Sequence, residues 1–339
     1  MLVLGIDTSC DETACAVVED AEQILSSKIS SSINFHRQFG GVIPEAASRQ
    51  HLEFIISVLD VCLKESGVGP KDLDLISVTR GPGLVGALLV GINLAKALSF
   101  SLGIPLLGIN HLTAHLYASF MAPEKPNLPA VGLVVSGGHT ELVFIREFND
   151  IEIIGRTRDD ACGEAFDKVA RILNLGYPGG PIVDRLAREG EKGKIRFSCG
   201  EFRNSLDFSF SGIKTAVLYY VNKRAVSGER LAVSEVNGIC AGFQEAVVDT
   251  LVKNALSACR LKRASQLVLG GGVSANSLLR ERMLALSKTE NIQIFLPPLE
   301  LCLDNAATVA GLGYHLYRLK QPHSDLSLEA EPLLGFITT

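Results

Sequence analysis

Three segments of this chain follow one plan: an apolar strand, a turn rich in glycine or serine, then polar residues. They are residues 2–9 (LVLGIDTS), 131–141 (VGLVVSGGHTE) and 266–276 (QLVLGGGVSAN). Each strand is a continuous apolar run, the pattern of a strand covered on both faces. Such strands alternating with helices make an α/β protein. The first two segments start about 130 residues apart, about one domain length. This spacing predicts a duplicated α/β fold whose halves face each other across a cleft. A length of 339 residues has room for two such halves.

Composition narrows the function classes. The chain is 47% hydrophobic and 20% charged, which excludes disorder as its main character. A net charge of −5 argues against a free-standing nucleic-acid binder. The 21 aromatic residues include no Trp, too few for a broad stacking surface. Eight cysteines form no CxxC pair, so a disulfide scaffold and a Cys-based zinc site are both disfavoured. The N-terminus lacks the basic region and cleavage site of a signal peptide. Residues 97–123 carry no Asp, Glu, Lys or Arg, but Gly103, Pro105, Gly108, Asn110, His111 and His115 interrupt them. A strand–loop–helix unit suits that stretch better than a membrane span. A cytoplasmic protein with no membrane association is expected.

Helices are predicted over residues 43–64 after Pro44, over 84–102 as a buried helix, over 233–259 and over 305–320. Residues 125–129 (KPNLP) form the clearest linker, and 184–203 read as an exposed excursion.

Several clusters carry chemistry. His111-Leu-Thr-Ala-His115 puts two imidazoles at i and i+4, on one helical face and close enough to share a metal. The plainer account is two histidines satisfied by local hydrogen bonds. Leu112 stands where the HExxH glutamate would be, so the metalloprotease base is absent. Asp304 is the best third ligand, although it is also a good N-cap for the helix that follows. The turn GIDTSCDET offers N–H groups and hydroxyls for a phosphate, and Asp7, Asp11 and Glu12 could hold a cation or orient water. Ser136-Gly-Gly-His-Thr140 is a second candidate phosphate loop. Asn276 could bond a sugar hydroxyl, as could Asp167 with Gly180 letting the sugar approach. Neither GxGxxG nor GxxxxGK[ST] occurs, so a Rossmann dinucleotide site and a P-loop are disfavoured. The combination points to a nucleotide-cleft enzyme.

These runs together resemble the tRNA adenosine threonylcarbamoyltransferase family, the TsaD or Gcp type, in its bacterial or organellar branch. The match extends from residue 2 to about 311. It rests on GIDTSCDET, GGVIPEAASRQH, TRGPGLVGALLVG, VSGGHTEL, DDACGEAFDKVA, YPGGP, DFSFSGIKT, GGGVSAN and DNAA. The family's older glycoprotease label gains no support without the HExxH glutamate.

The resemblance implies an actin-like ATPase (ASKHA) fold, also seen in sugar kinases. Its N-terminal lobe would span 1–115, completed by a C-terminal helix at 305–330, and its C-terminal lobe 125–304. The implied reaction moves the threonylcarbamoyl group from threonylcarbamoyl-AMP to N6 of the adenosine just 3′ of the anticodon. The substrates would be tRNAs that read codons beginning with A.

The resemblance also marks His111, His115 and Asp304 as metal ligands, with iron or zinc expected. Val134, Val135, Ser136, Gly137, Gly138, Asp167, Gly180, Asp184 and Asn276 would bind the adenylate, or ATP in its place. Asp11 and Glu12 match acids that family members need. Archaeal and eukaryotic relatives have a tyrosine ligand where this chain has Val134, so water or substrate would complete the shell. Bacterial members work with an inactive paralogue of TsaB type and a small P-loop ATPase of TsaE type, and a YrdC-type synthase supplies the adenylate. The residues alone also suit a small-molecule kinase of the same fold or an ATP-dependent assembly factor.

Overall fold

The computed structural model describes residues 1–191, 193–226, 231–320 and 323–336. The chain forms two compact units. One takes residues 1–125, 147–151 and 297 onward, and the other 126–146 and 152–296.

The first unit is built on a five-stranded sheet of β1 (Leu2–Asp7), β2 (Glu12–Glu19), β3 (Gln23–Ser31), β4 (Leu75–Gly81) and β5 (Leu106–Asn110). Their order is β3-β2-β1-β4-β5. β1 pairs antiparallel with β2, Leu2 opposite Glu19 and Asp7 opposite Ala14. It pairs parallel with β4, and β4 pairs parallel with β5. Short α1 (Ile33–His36) leads to α2 (Pro44–Ser66), then α3 (Val85–Leu102) and α4 (His111–Tyr117). Leu4, Ile6, Val78, Leu88 and Ile92 share one core with α2 side chains. The second face of β1 takes the last helix of the fold, which begins at Ala306. A Cβ on Gly5 would lie 2.1 Å from the Ala306 carbonyl oxygen, so only glycine lets strand and helix approach this closely. Both faces are therefore covered, as the unbroken apolar run requires.

The second unit repeats the topology. β6 (Ala130–Val135), β7 (Thr140–Glu147), β8 (Asp150–Arg156), β9 (Gln266–Gly270) and β10 (Gln293–Phe295) lie in the order β10-β9-β6-β7-β8. β6 pairs antiparallel with β7 and parallel with β9, as β1 does with β2 and β4. The first two glycine-turn segments thus occupy equivalent strands, and the third takes the place of β4. Around this sheet lie α5 (Cys162–Ile172), α6 (Gly179–Arg188), α7 (Ser211–Val226), α8 (Val233–Lys262) and α9 (Ser277–Thr289). Leu133, Val135, Phe166, Phe243, Leu267 and Met283 lie in its core.

Four expectations change. α3 is long and apolar enough to cross a membrane by length and composition. It is only half a core helix, burying Ala87, Leu88, Gly91, Ile92 and Ala95 while Val85, Leu89 and Phe100 are exposed. The last helix, α10 (Ala306–Arg318), is capped by Asn305 and not by Asp304; the Asn305 side chain accepts from Thr308 N at 3.0 Å. The chain re-enters the first unit at Pro297, ahead of the expected 304. Finally, the 184–203 excursion begins late. Asp184 sits inside α6, and Ile195 packs so closely on α8 that a Cβ on Gly242 would meet its carbonyl oxygen at 2.1 Å. Lys192 of that stretch lies outside the described residues.

Candidate metal centre and phosphate loops

α4 starts directly after β5, so its first turn sits at the carboxyl end of a parallel strand, where α/β folds place ligands. The Asn110 side chain fixes that start by accepting from Leu112 N at 2.9 Å and Thr113 N at 3.1 Å, a cap worth about 1 kcal/mol. His111 and His115 then project from one face, ring centroids 4.4 Å apart. Asp304, released from capping duty by Asn305, meets both. Its Oδ1 lies 3.5 Å from His111 Nε2 and 3.3 Å from His115 Nε2. All three donor atoms fall within 4.8 Å of one another. On the far side of the His111 ring, Nδ1 lies 3.5 Å from Oδ2 of the buried Asp7.

Two imidazole nitrogens and one carboxylate oxygen, converging in a mostly buried pocket, fit a divalent ion of borderline softness. Three protein ligands leave coordination positions for substrate or water. The electrostatics agree. Burial works to raise the Asp304 carboxyl, yet the His111 and His115 charges hold it well below the usual carboxylate range. Burial works to lower His111, but Asp304 and Asp7 push it up to about 9. The negative site thus attracts cations, and a binding metal must displace a proton from His111.

Asp11 and Glu12 belong to the same cluster. A Cys10 sulfur, an Asp11 oxygen and an Asp304 oxygen also lie within 4.8 Å of one another. Glu12 accepts from Ser31 Oγ at 2.7 Å. Burial, with Asp11 and Asp304 beside it, pushes its carboxyl up to about 9. The turn that carries these acids is fastened by a residue the sequence reading missed. His51 of α2 donates from Nε2 to the Cys10 carbonyl oxygen at 3.1 Å, which leaves Nδ1 to accept from the Thr13 hydroxyl at 2.7 Å. Burial pushes His51 below its ordinary value. Its only sequence signal was a histidine on an otherwise core-facing helical position.

The predicted adenylate residues all lie in the second unit. Val134 and Val135 are buried in β6, so their side chains belong to the core. Ser136 begins the turn to β7. Its N–H donates to the His139 carbonyl at 2.8 Å, and its Oγ accepts from His139 N at 3.1 Å. A Cβ on Gly137 or Gly138 would meet nothing within 4 Å, so open space lies against the backbone. Gly271 has φ +89° and sits so near Val135 that a Cβ there would fall 2.4 Å from its carbonyl oxygen. The two glycine turns therefore adjoin at the ends of β6 and β9. Asp167 Oδ1 accepts from Gly179 N at 2.6 Å, beside open Gly180. Asp184 accepts from Ser277 Oγ at 2.6 Å and Arg188 Nη2 at 2.9 Å. Asn276 caps α9 through Leu279 N at 3.0 Å and donates to Gln244 Oε1 at 2.9 Å. Gln244 and Ser277, both missed in the sequence, hold Asn276 and Asp184. A cavity of about 150 Å³ touches this network at Gln244, Ser277 and Arg188. A larger one of about 500 Å³, between residues 200–207 and α8, includes none of the predicted site residues.

The charged start of DDACGEAFDK is structural. Asp159 accepts from Phe210 N, Ser211 N and Ser209 Oγ, and Asp160 from Lys168 and Lys214. These bonds tie α5 to the DFSFSGIKT segment.

The family model described as TsaD, tRNA N6-adenosine threonylcarbamoyltransferase, matches residues 23–311. A curated tRNA N6-adenosine threonylcarbamoyltransferase of Anaeromyxobacter dehalogenans (strain 2CP-1 / ATCC BAA-258) is 51% identical over 333 residues, covering 97% of this chain and 98% of its own. One of Syntrophus aciditrophicus (strain SB) is 48% identical over 330 residues, covering 97% and 96%. Among solved structures, HypF of T. kodakarensis superposes with a TM-score of 0.62 at 15% identity, over 94% of this chain and 48% of its own. At that identity the likeness is one of fold alone, an arrangement of sheet-centred α/β units.

Proposed function

The chain belongs to the tRNA N6-adenosine threonylcarbamoyltransferase family, and from that premise we propose how its residues divide the work. The enzyme transfers the threonylcarbamoyl group to N6 of adenosine-37 in tRNA, giving t6A. The carrying observation is the convergence of His111, His115 and Asp304.

In the proposed reaction N6 attacks the carbamoyl carbon of threonylcarbamoyl-AMP. The new N–C bond forms as the bond from that carbon to the phosphate oxygen breaks, AMP leaves with the bonding electron pair, and the proton lost from N6 passes to solvent water. His111, His115 and Asp304 would hold a divalent ion, iron or zinc, which would supply Lewis acidity toward the carbamoyl oxygen. Asp11 and Glu12, beside Asp304, accept hydrogen bonds from the incoming amine and orient it. N6 is a weak nucleophile, so this positioning counts as much as polarisation. In the second unit, the backbone at Ser136, Gly137 and Gly138 receives the phosphate. Asp167, Gly180, Asp184 and Asn276 receive the nucleoside of the adenylate or of ATP.

Partner proteins belong to the same proposal. Leu52 and Ile56 of α2 are 66% and 60% exposed, on the helix face that carries Ser48 toward Gly86 of α3. With Val85 and Leu89 they form an apolar face suited to a helical partner, here a paralogue of TsaB type. A P-loop ATPase of TsaE type and an adenylate-supplying synthase of YrdC type complete the proposed set. The test is transfer in vitro from threonylcarbamoyl-AMP to unmodified tRNA with these partners, read as modified nucleoside by mass spectrometry. Product from the wild type that His115→Ala fails to make supports the reading. No product from metal-loaded wild type with competent partners contradicts it.

A further inference from the structure

The segment between β3 and α2 is rooted in the transfer site. Ser31 Oγ donates to Glu12 Oε1 at 2.7 Å, and Ser32 donates to the Asp11 carbonyl from Oγ at 2.7 Å and from N at 3.0 Å. Beyond Ser32 the chain reads Ile33-Asn-Phe-His-Arg-Gln-Phe39. His36 is wholly buried and accepts from Ile43 N at 3.3 Å, which anchors the segment from within. Phe35 and Phe39 face outward, 37% and 56% exposed. Their ring centroids lie 5.3 Å apart, and Phe35 also packs against the edge of His36. Among the described residues this is the one aromatic pair in which both rings are exposed. Arg37 lies between them in sequence, exposed and in no ion pair among the described residues.

Apolar rings held out to water beside a cluster of acids need an occupant. The acids repel phosphate, and the whole chain carries −5, so affinity for RNA here cannot rest mainly on charge. Base–aromatic stacking needs no net charge and is the usual way to hold an unpaired loop base. The exposed Arg37 of the same short segment adds a cation for one backbone phosphate or for stacking on the base. We infer that Phe35, Arg37 and Phe39 form a platform on which an unpaired anticodon-loop base stacks while the adjoining adenosine meets the transfer site. This rests on the reading in the preceding subsection.

The test uses the full chain with its protein partners and an anticodon stem-loop RNA carrying 2-aminopurine just 3′ of the target adenosine. Stacking quenches its fluorescence. The wild type is expected to quench, and the Phe35→Leu/Phe39→Leu variant to lose quenching and bind roughly ten- to hundredfold more weakly. Phe35→Tyr/Phe39→Tyr is expected to restore both. In the transfer assay the leucine variant raises KM for tRNA and leaves kcat, melting temperature and metal content unchanged. Full quenching and affinity in the leucine variant overturn the proposal. So does failure of the tyrosine variant to restore them, or loss of partner-protein binding in their place. Quenching reads RNA docking without group transfer. A wild type that quenches yet makes no product contradicts the transferase reading alone, and one that makes product without quenching overturns the platform alone.

Discussion

Asp304 stays ionised although burial alone would push its carboxyl up, because two imidazoles converge on one of its oxygens. Asp304→Asn keeps the volume and removes that charge. Its metal affinity, measured by competition with a chromogenic chelator, is expected to fall by more than the roughly 10- to 100-fold typical of an outer-shell partner. His51 makes a prediction of opposite kind. Burial lowers its value below the ordinary 6.5, so below that pH the unfolded chain binds a proton the folded chain resists. Stability is then present above pH about 6.5 and lost as pH falls toward the depressed value, by at most ~1.4 kcal/mol per pH unit. His51→Gln is expected to flatten that slope between about pH 7 and pH 5 in urea unfolding, against the wild type. The two histidine roles were unequally legible. HxxxH spacing announces a shared face, and the absent HExxH glutamate excludes one chemistry. Nothing near His51 in the sequence says that its partners are Thr13 and a backbone carbonyl 41 residues away.

Elements set these residues in place through close backbone approaches. β1 reaches α10 only because Gly5 has no side chain. Gly5→Ala drives a Cβ into a helix carbonyl, and the expected cost is ~1–3 kcal/mol or more, read as a lower urea midpoint with the slope unchanged. A second test concerns the start of α7, where Asp159 accepts from the N–H groups of Phe210 and Ser211. Asp159→Ala leaves them unmet, at a cost of about 1–3 kcal/mol. Strands that end in glycine turns were readable because both faces of each strand are apolar. The exposed side of α3 was not, because Val85, Leu89 and Phe100 look like core residues in composition. The cap of α10 was misread for a related reason. Asp304 and Asn305 are both good N-cap types, and only the fold shows that Asn305 caps while Asp304 turns to the histidines.

At the scale of the molecule, the topology of one sheet is repeated in the other, and the chemistry is divided between them. The converging histidines and acids belong to the first unit, and the glycine turns and polar residues proposed to receive the phosphate and nucleoside belong to the second. A chain of net charge −5 is expected to bind tRNA weakly by itself, with affinity rising when the proposed partners are added and dropping as salt is raised. The central claim is that transfer depends on an ion held by His111, His115 and Asp304. It is tested most directly by stripping the enzyme with a chelator and returning ferrous iron or zinc stepwise. Bound metal and modified adenosine are then measured in the same samples, with partners, threonylcarbamoyl-AMP and tRNA in excess. The account predicts a rate that rises in proportion to occupancy and levels off at one ion per chain, with His111→Ala and Asp304→Asn inactive throughout. Full transfer by the stripped enzyme, or by either variant, would contradict it.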